Sequence, residues 1–259
     1  MYPAIRFNSL LQESLSMGRT GEAAMAALMR RLRPLATEHS LIRCGGAGDG
    51  GYLIPDDLAG LAALFSPGVA ETADFEADFA ARGIPCFLAD HSVDAPPIDS
   101  PLFRFEKKNL GPRTTDIDMT LDEWVGRLAP AGDLALQMDI EGAEYAVLLA
   151  TSPATLRRFR LIVIELHGLH DLWRPGGLAV VNRLADLLLT DFDVVHLHPN
   201  NCLPAQGQGD LLVPPVLEMT LLRKDRIRQR TPVQSLPHPL DRANVPGFPD
   251  YPLPGCWLG

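Results

Sequence analysis

Short apolar runs alternate with longer segments of helical period from residue 61 onward. The runs have the length of buried strands, and the segments between them have the length of helices. This alternation is typical of successive βαβ units, so it predicts an α/β fold with a mainly parallel sheet. The predicted strands are Ala63–Ser66, Pro85–Asp90, Leu102–Lys107, Leu134–Asp139, Leu161–His167, Phe192–His198 and Val216–Arg223. The predicted helices lie near residues 72–82, 119–129, 142–150 and 178–190.

The segments around this series differ from it in pattern. Residues 199–215, between the last two strands, are rich in Pro, Gly and Asn and leave no room for a crossover helix, so one of the seven strands should run antiparallel. Apolar residues in 8–33 have mixed three- and four-residue spacings interrupted by Gly18, which indicates two short amphipathic helices. Seven prolines after Arg230 exclude a helix or a central strand. The predicted organisation is a helical lid over residues 1–40, an α/β domain over 41–230 and an extended strap over 231–259 that packs on the same domain.

Composition narrows the choice of partner. Lys and Arg number 23 against 32 Asp and Glu, a net charge of −9, so counterion release cannot drive tight binding to nucleic acid or to an anionic membrane. The four cysteines are scattered and form no C-x-x-C pair, which fits a reducing compartment. No signal-peptide pattern and no apolar window of about 18 residues is present. We therefore expect a cytoplasmic protein that acts on a small molecule or a glycan.

The first candidate ligand-binding residues lie at the ends of the first two predicted strands, because ligands of open parallel sheets bind beyond the carboxyl ends of the strands. Gly68 follows the first strand and permits a close backbone approach. Asp90 ends the second strand and is followed by His91. A carboxylate at this distance from the first turn can accept two hydrogen bonds from a ribose. The alternative is that Asp90 is an ordinary turn or N-cap residue, which would have the same sequence pattern. Since no phosphate-binding glycine motif is present, a nucleoside without a pyrophosphate is expected.

Later strand ends carry carboxylates and imidazoles, namely Asp139, Glu165, His167, His196 and His198. The two-residue period of a strand places Glu165 and His167 on the same side of one strand, and His196 and His198 on the same side of the next. Unpaired buried polar groups cost about 1–3 kcal/mol each. We therefore expect these side chains to meet one another or a ligand, while Glu144, at the start of the following helix, is a capping residue.

Taken in order along residues 40–250, these motifs resemble the S-adenosylmethionine-dependent methyltransferases of FkbM type, in particular a bacterial branch with an N-terminal D-G-G-Y element. The stretches that carry the resemblance are Asp49-Gly50-Gly51-Tyr52, Phe65-Ser66-Pro67-Gly68-Val69 with Asp74-Phe75-Glu76, Asp139-Ile140-Glu141-Gly142-Ala143-Glu144, Ile164-Glu165-Leu166-His167, His196-Leu197-His198-Pro199-Asn200-Asn201, Leu217-Glu218-Met219-Thr220 and Pro239-Leu240-Asp241-Arg242-Ala243-Asn244-Val245-Pro246.

The resemblance implies a Rossmann-like methyltransferase fold and methyl transfer to an oxygen, often on a sugar. It places Gly68 at the cofactor turn, Asp90 at the ribose and Asp139 near the methyl acceptor. The residues predicted to bind the cofactor are Ser66, Gly68, Asp90 and His91, together with Asp49 and Tyr52. The loop that holds Asp49 and Tyr52 is expected either to close the cofactor pocket, with both side chains facing inward, or to be an ordinary turn.

Transfer to a hydroxyl requires a group that takes up its proton. The predicted catalytic residues are Asp139, Glu165, His167 and His198. The same four side chains are candidate ligands of a divalent cation, for which zinc, manganese or iron suits the mixed ligands better than calcium. The alternative is that His167 and His198 only hydrogen-bond Glu165, Asn200 or Asn201 and stiffen the loops.

Two other functions stay open at this point. Ser66 and Pro67 stand where the first motif of such methyltransferases carries an acidic residue and a glycine, which favours a glycan-binding or regulatory relative without turnover. A metal-dependent hydrolase that uses the strand-end His and Glu residues is the other. Substrate choice resides in loops such as 168–178 and 199–215, which carry no transferable code for the acceptor.

Overall fold

A seven-stranded sheet lies at the centre of the computed structural model, which describes residues 18–208 and 211–259. The strands are β1 Leu35–Ala36, β2 Leu41–Cys44, β3 Tyr52–Pro55, β4 Leu61–Pro67, β5 Cys86–Ala89, β6 Phe103–Glu106, β7 Asn109–Leu110, β8 Asp118–Met119, β9 Asp133–Met138, β10 Phe159–Leu166, β11 Phe192–Pro199, β12 Gln206–Gln208, β13 Leu211–Val213, β14 Leu217–Arg223 and β15 Thr231–Pro232. The helices are α1 Glu22–Arg31, α2 Asp74–Ala81, α3 Leu121–Leu128, α4 Glu144–Ala150, α5 Pro153–Leu156 and α6 Pro175–Asp191.

The strand order of the central sheet is β11-β14-β10-β9-β4-β5-β6. The four contacts from β10 to β6 are parallel, and β14 pairs antiparallel with both β10 and β11. The seven strands predicted from the sequence, the single antiparallel direction and the four predicted helices are thereby confirmed, with every end within three residues of its predicted position. The antiparallel strand is not at the edge, because β14 lies between β10 and β11.

The two faces of the sheet follow from the two-residue period of its strands. Phe65, Leu136 and Ile164 point to the face that α1, α3, α4 and α6 cover, where Trp124 is fully buried. Leu64, Ala135, Val163 and their equivalents point to the other face, which packs against α2 and the β2–β3 hairpin. At the carboxyl ends of the strands, polar residues replace apolar ones on this hairpin face, and the candidate site is built there.

The segments outside the sheet depart in part from the prediction. The described part of residues 8–33 contains one helix, α1, which buries Met25, Leu28 and Met29. The first predicted helix lies outside the described residues. The tail is extended, as its prolines predict, except for a short 3-10 helix at Gly255–Trp257. Its strand β15 pairs with β1, and Trp257 is buried and donates a 2.7 Å hydrogen bond to the Leu212 carbonyl. Among the described helices, none combines the length and the apolar character needed to cross a bilayer.

Candidate functional site

Asp139 lies just beyond the end of β9, and its carboxyl group meets two polar neighbours. The buried Tyr52 hydroxyl donates to Asp139 Oδ2 over 3.4 Å, and Glu165, at the end of β10, shares a hydrogen bond with the same carboxyl group. Burial, with the negative charge of Asp139 beside it, raises the pKa of Glu165 well above its usual value. Glu165 is therefore the protonated partner that donates to Asp139, while Asn200 Nδ2 donates to Glu165 Oε1 over 2.7 Å.

His167 faces three carboxylates. Its Nδ1 is 3.1 Å from Glu144 Oε1, whereas its Nε2 is 3.9 Å from Asp139 Oδ1 and 3.6 Å from Glu141 Oε2. Burial lowers the pKa of His167, but the hydrogen bond to Glu144 and the surrounding negative charges outweigh it and raise the pKa to about 9. Glu144 also accepts hydrogen bonds from the backbone N–H groups of Ile140 and Gly142, which lie in the turn before α4. The predicted capping role is therefore wrong, because Ala143 is the N-cap of α4 and no side chain caps that helix.

The turn after β4 approaches the chain after β9 very closely. Gly68 has φ +88°, and a Cβ built on it would lie 1.7 Å from the carbonyl oxygen of Asp139. A glycine is thus required at this position because two segments of the chain are in contact. The sequence had instead indicated contact with a ligand. This contact fixes the turn after β4 beside Asp139.

Asp90 anchors the same turn from the next strand. Its Oδ2 accepts from the Ala70 N–H over 2.8 Å, and its Oδ1 accepts from the N–H and hydroxyl groups of Ser92 at 2.7 and 2.6 Å. A carboxylate has about four acceptor positions, so about one remains for a ligand hydroxyl. His91 is half-buried next to it. The structure therefore leaves room for one ribose contact at Asp90, where the sequence predicted two.

Ser66, near the end of β4, is hydrogen-bonded within the protein next to this turn. It is fully buried, and its hydroxyl contacts Glu76 Oε1 and lies 2.6 Å from Gln137 Oε1. Gln137 Nε2 in turn donates to the Tyr52 hydroxyl over 3.4 Å. Since Ser66 has one proton to donate, all of these contacts are satisfied when a protonated Glu76 donates to Ser66. The prediction that Ser66 contacts the cofactor is wrong in this structure, because both of its hydrogen bonds are made within the protein.

Replacing Glu76 by glutamine is expected to remove a pH dependence of stability. Burial raises the pKa of Glu76 to about 7 from an ordinary 4.5. The folded chain therefore binds more protons than the unfolded chain between these values, and stability falls as the pH rises through that window. The penalty is about 3 kcal/mol above pH 7. Urea unfolding should show that the parent protein loses most of this free energy between pH 5 and pH 8, whereas Glu76→Gln does not.

The control for this measurement is Asp116→Asn, which removes an exposed carboxylate that has no effect on the pKa of Glu76. Two other titratable groups act near Glu76. The charge of Asp74 adds to the rise in the pKa of Glu76, whereas the Cys86 thiol, which donates to the Glu76 carbonyl, has a raised pKa and stays neutral throughout. If Glu76→Gln and the parent protein respond equally to pH, Glu76 is not the group that titrates.

The D-G-G-Y element lies against the turn after β4. A Cβ on Gly50 would be 2.9 Å from the Thr72 hydroxyl oxygen, and Tyr52 is buried beside Asp139. Asp49, in contrast, is exposed and accepts from Asn244 Nδ2 over 3.3 Å. The predicted inward orientation is therefore found for Tyr52 and is wrong for Asp49.

His198 is separated from the other predicted catalytic residues by its own partners. Its Nδ1 is 3.0 Å from Glu218 Oε2 and its Nε2 is 3.0 Å from Asp250 Oδ2. His196 pairs with Asp241 in the same way, at 2.9 Å. With both ring nitrogens of His198 occupied, it serves neither as a base nor as a metal ligand here, so that prediction is corrected. The two histidines instead fasten the C-terminal tail to the sheet.

Among the described residues, ligand-type side chains come together at one place. Asp139, Glu144 and His167 offer atoms that all lie within 4.8 Å of one another. Of the four ligands predicted from the sequence, this group retains Asp139 and His167. Glu165 is held by Asp139 and Asn200, and His198 by the tail.

A mainly parallel seven-stranded sheet with one antiparallel strand, and a polar cluster at the carboxyl ends of its strands, define a Rossmann-like methyltransferase fold. Residues 91–193 match the family model of the methyltransferase FkbM domain. The matched range includes Asp139, Glu165 and His167. The match supports a methyltransferase and lends no support to the hydrolase alternative. It begins after Asp90, so membership of the branch with the D-G-G-Y element stays a prediction.

Other comparisons add little. No curated protein matches the sequence. Among solved structures, the "Putative hemolysin" from Streptococcus thermophilus is similar at 12% identity with a TM-score of 0.37. The similarity covers 65% of this chain and 62% of that one, so the chain spans less than two thirds of that protein.

Proposed function

We propose that the protein transfers a methyl group from S-adenosylmethionine to a hydroxyl group of a carbohydrate or glycosylated metabolite. The observation that supports this best is the contact between Gly68 and the Asp139 carbonyl. It sets the turn at which the fold binds its cofactor directly beside the carboxylate that the family match includes. Donor and acceptor sites are thus neighbours, which an in-line transfer requires.

The residues around the turn fit this cofactor. Asp90 is buried at a strand end with about one acceptor position free for a ribose hydroxyl, and His91 lies beside it. The absence of a phosphate-binding motif agrees with a nucleoside that carries no phosphate. When bound, S-adenosylmethionine supplies an activated methyl group on a positively charged sulfur.

The protein's own task is to take the proton from the acceptor hydroxyl. We assign this to Asp139 Oδ2, because Oδ1 is buried while 23% of the side chain is exposed. Tyr52, whose pKa is raised by burial and the nearby carboxylates, stays protonated and orients this oxygen by its hydrogen bond. The bound cofactor would supply the methyl group to the acceptor oxygen, and Asp139 would take up the hydroxyl proton.

Binding of S-adenosylhomocysteine should depend on Asp90 through one ribose hydroxyl. The parent protein is expected to bind this ligand about tenfold more tightly than its 2′-deoxy analogue, the value of one hydrogen bond to a charged group. In Asp90→Ala, which keeps no side-chain hydrogen-bonding group, the two ligands should bind equally, as measured by calorimetric titration. Comparing the two ligands on each protein separates the ribose contact from the role of Asp90 in holding the turn.

Turnover decides between the enzyme and its non-catalytic alternative. Incubation with methyl-labelled S-adenosylmethionine and a panel of neutral sugars and glycosides should yield an O-methyl product that mass spectrometry locates. Binding of S-adenosylhomocysteine without any methylated product would favour the glycan-binding or regulatory relative.

If the 2′-deoxy analogue binds the parent as tightly as S-adenosylhomocysteine itself, the ribose assignment is wrong. The cytoplasmic location and the lack of a nucleic-acid partner stay predictions.

A further inference from the structure

Negative charge is concentrated around His167 beyond what the hydrogen bonds there satisfy. Asp139 Oδ1 and Glu144 Oε2 are both buried and have no hydrogen-bond partner within the described residues. A buried carboxylate oxygen without a partner costs about 1–3 kcal/mol or more. Two such atoms beside one imidazole indicate that this cluster is built for a cation.

The orientation of His167 suits a metal ligand. The side chain is 8% exposed, and its Nδ1 faces Glu144 Oε1 at 3.1 Å. A carboxylate that accepts from one ring nitrogen fixes the orientation of the ring, and a metal ion at the other nitrogen would displace the proton there. That other nitrogen, Nε2, has no partner within hydrogen-bond distance in the described part of the chain and faces Asp139 Oδ1 and Glu141 Oε2.

We propose that His167 Nε2, Asp139 Oδ1 and Glu141 Oε2 bind one divalent transition-metal cation, with Glu144 holding His167 in place. The atom separations of 3.6 and 3.9 Å from Nε2 are close to those between ligands of one metal ion, and the 71% exposed Glu141 side chain is free to adjust. One imidazole and two carboxylates suit Mn²⁺ or Zn²⁺ better than Ca²⁺, which prefers oxygen ligands alone.

This ligand set differs from the one that the sequence predicted. Glu141 takes the place of Glu165, which is held by Asp139 and Asn200, and no fourth protein ligand replaces His198. Three protein ligands leave open positions, as is usual at catalytic metal sites. Under the proposed function, on which this role rests, the open positions face the acceptor hydroxyl, whose proton still passes to Asp139 Oδ2.

The test is a titration of metal-free full-length protein with MnCl₂, in which electron paramagnetic resonance measures the free Mn²⁺ at each step. One equivalent should bind per chain. Glu141→Gln and Glu144→Gln should each weaken binding at least about tenfold, the usual effect of losing a ligand or its supporting residue. Glu141 is exposed, so its variant is not expected to disturb folding. Glu71→Gln, an exposed carboxylate in the turn after β4, is the matched control and should leave binding unchanged.

Absence of a bound equivalent would overturn the proposal, and so would equal affinity of the parent protein and Glu141→Gln. Equal weakening by Glu71→Gln would show general attraction to negative charge and would overturn it as well. The titration contains neither S-adenosylmethionine nor an acceptor. A negative result therefore removes the cation and leaves the proposed methyl transfer to its own test, whereas loss of S-adenosylhomocysteine binding would leave the metal site standing.

Discussion

Gly68→Ala is expected to lower the free energy of unfolding by more than about 4 kcal/mol, a large share of the roughly 5–15 kcal/mol of a typical domain. An alanine at φ +88° carries a backbone penalty of about 1–2 kcal/mol. Its Cβ would also lie 1.7 Å from the Asp139 carbonyl oxygen, a distance that forces one of two backbone segments to move. Urea unfolding, or the yield of soluble protein if the loss is complete, measures the effect.

Gly83→Ala separates the two contributions. Gly83 has φ +77°, but a Cβ built there meets no atom within 4 Å, so only the backbone penalty of about 1–2 kcal/mol applies. If the two variants lose equal stability, the close approach of the turn to Asp139 is not as the structure describes it. The proposed adjacency of donor and acceptor sites would then lose its support.

The sheet was predictable because its strands are buried on both faces. β9, β10 and β11 consist of apolar runs whose burial leaves hardly an exposed position, and the polar residues that end them coincide with the ends of the observed strands. The position of β14 between β10 and β11 was not predictable in the same way. The pattern shows that the last two strands pair, but it does not show which other strand β14 contacts.

The candidate site was predictable as a location and only in part as a set of contacts. The carboxyl ends of parallel strands lie at one edge of the sheet, so Asp139, Glu165 and His167 were expected together. Their actual partners depend on tertiary contacts that no local period encodes. Asp250, for example, reaches His198 from the tail, and Glu76 reaches Ser66 from α2.

Some of the missed residues left a signal in the sequence. Glu76 lies between Phe75 and Phe79 on the apolar side of a helix, a position that is costly for a carboxylate unless it has a partner. Glu218 occurs in a strand next to apolar residues for the same reason. Glu76 supplies near β4 the carboxyl group that the first motif lacks at Ser66.

Asp139→Asn is expected to lower kcat by about 10²–10⁴-fold, the range for removal of a positioned general base. Asparagine keeps the size of the side chain and can accept the hydrogen bonds from Tyr52 and Glu165, so the fold and the binding of S-adenosylhomocysteine should be unchanged. The assay uses the hydroxyl compound that the parent protein methylates best, and it determines kcat and KM separately. Asp116→Asn, which removes an exposed carboxylate outside the cluster, is the control.

The comparison with Glu141→Gln then separates the two roles proposed for Asp139. Loss of the cation alone should be reversed in part by raising the MnCl₂ concentration, because mass action refills a weakened site. Loss of the proton acceptor in Asp139→Asn should not be restored by added metal, since a metal ion does not replace the carboxylate oxygen that Tyr52 orients. Retention of more than about a tenth of the parental kcat in Asp139→Asn would mean that another group takes the proton, and the assignment of Asp139 Oδ2 would be wrong.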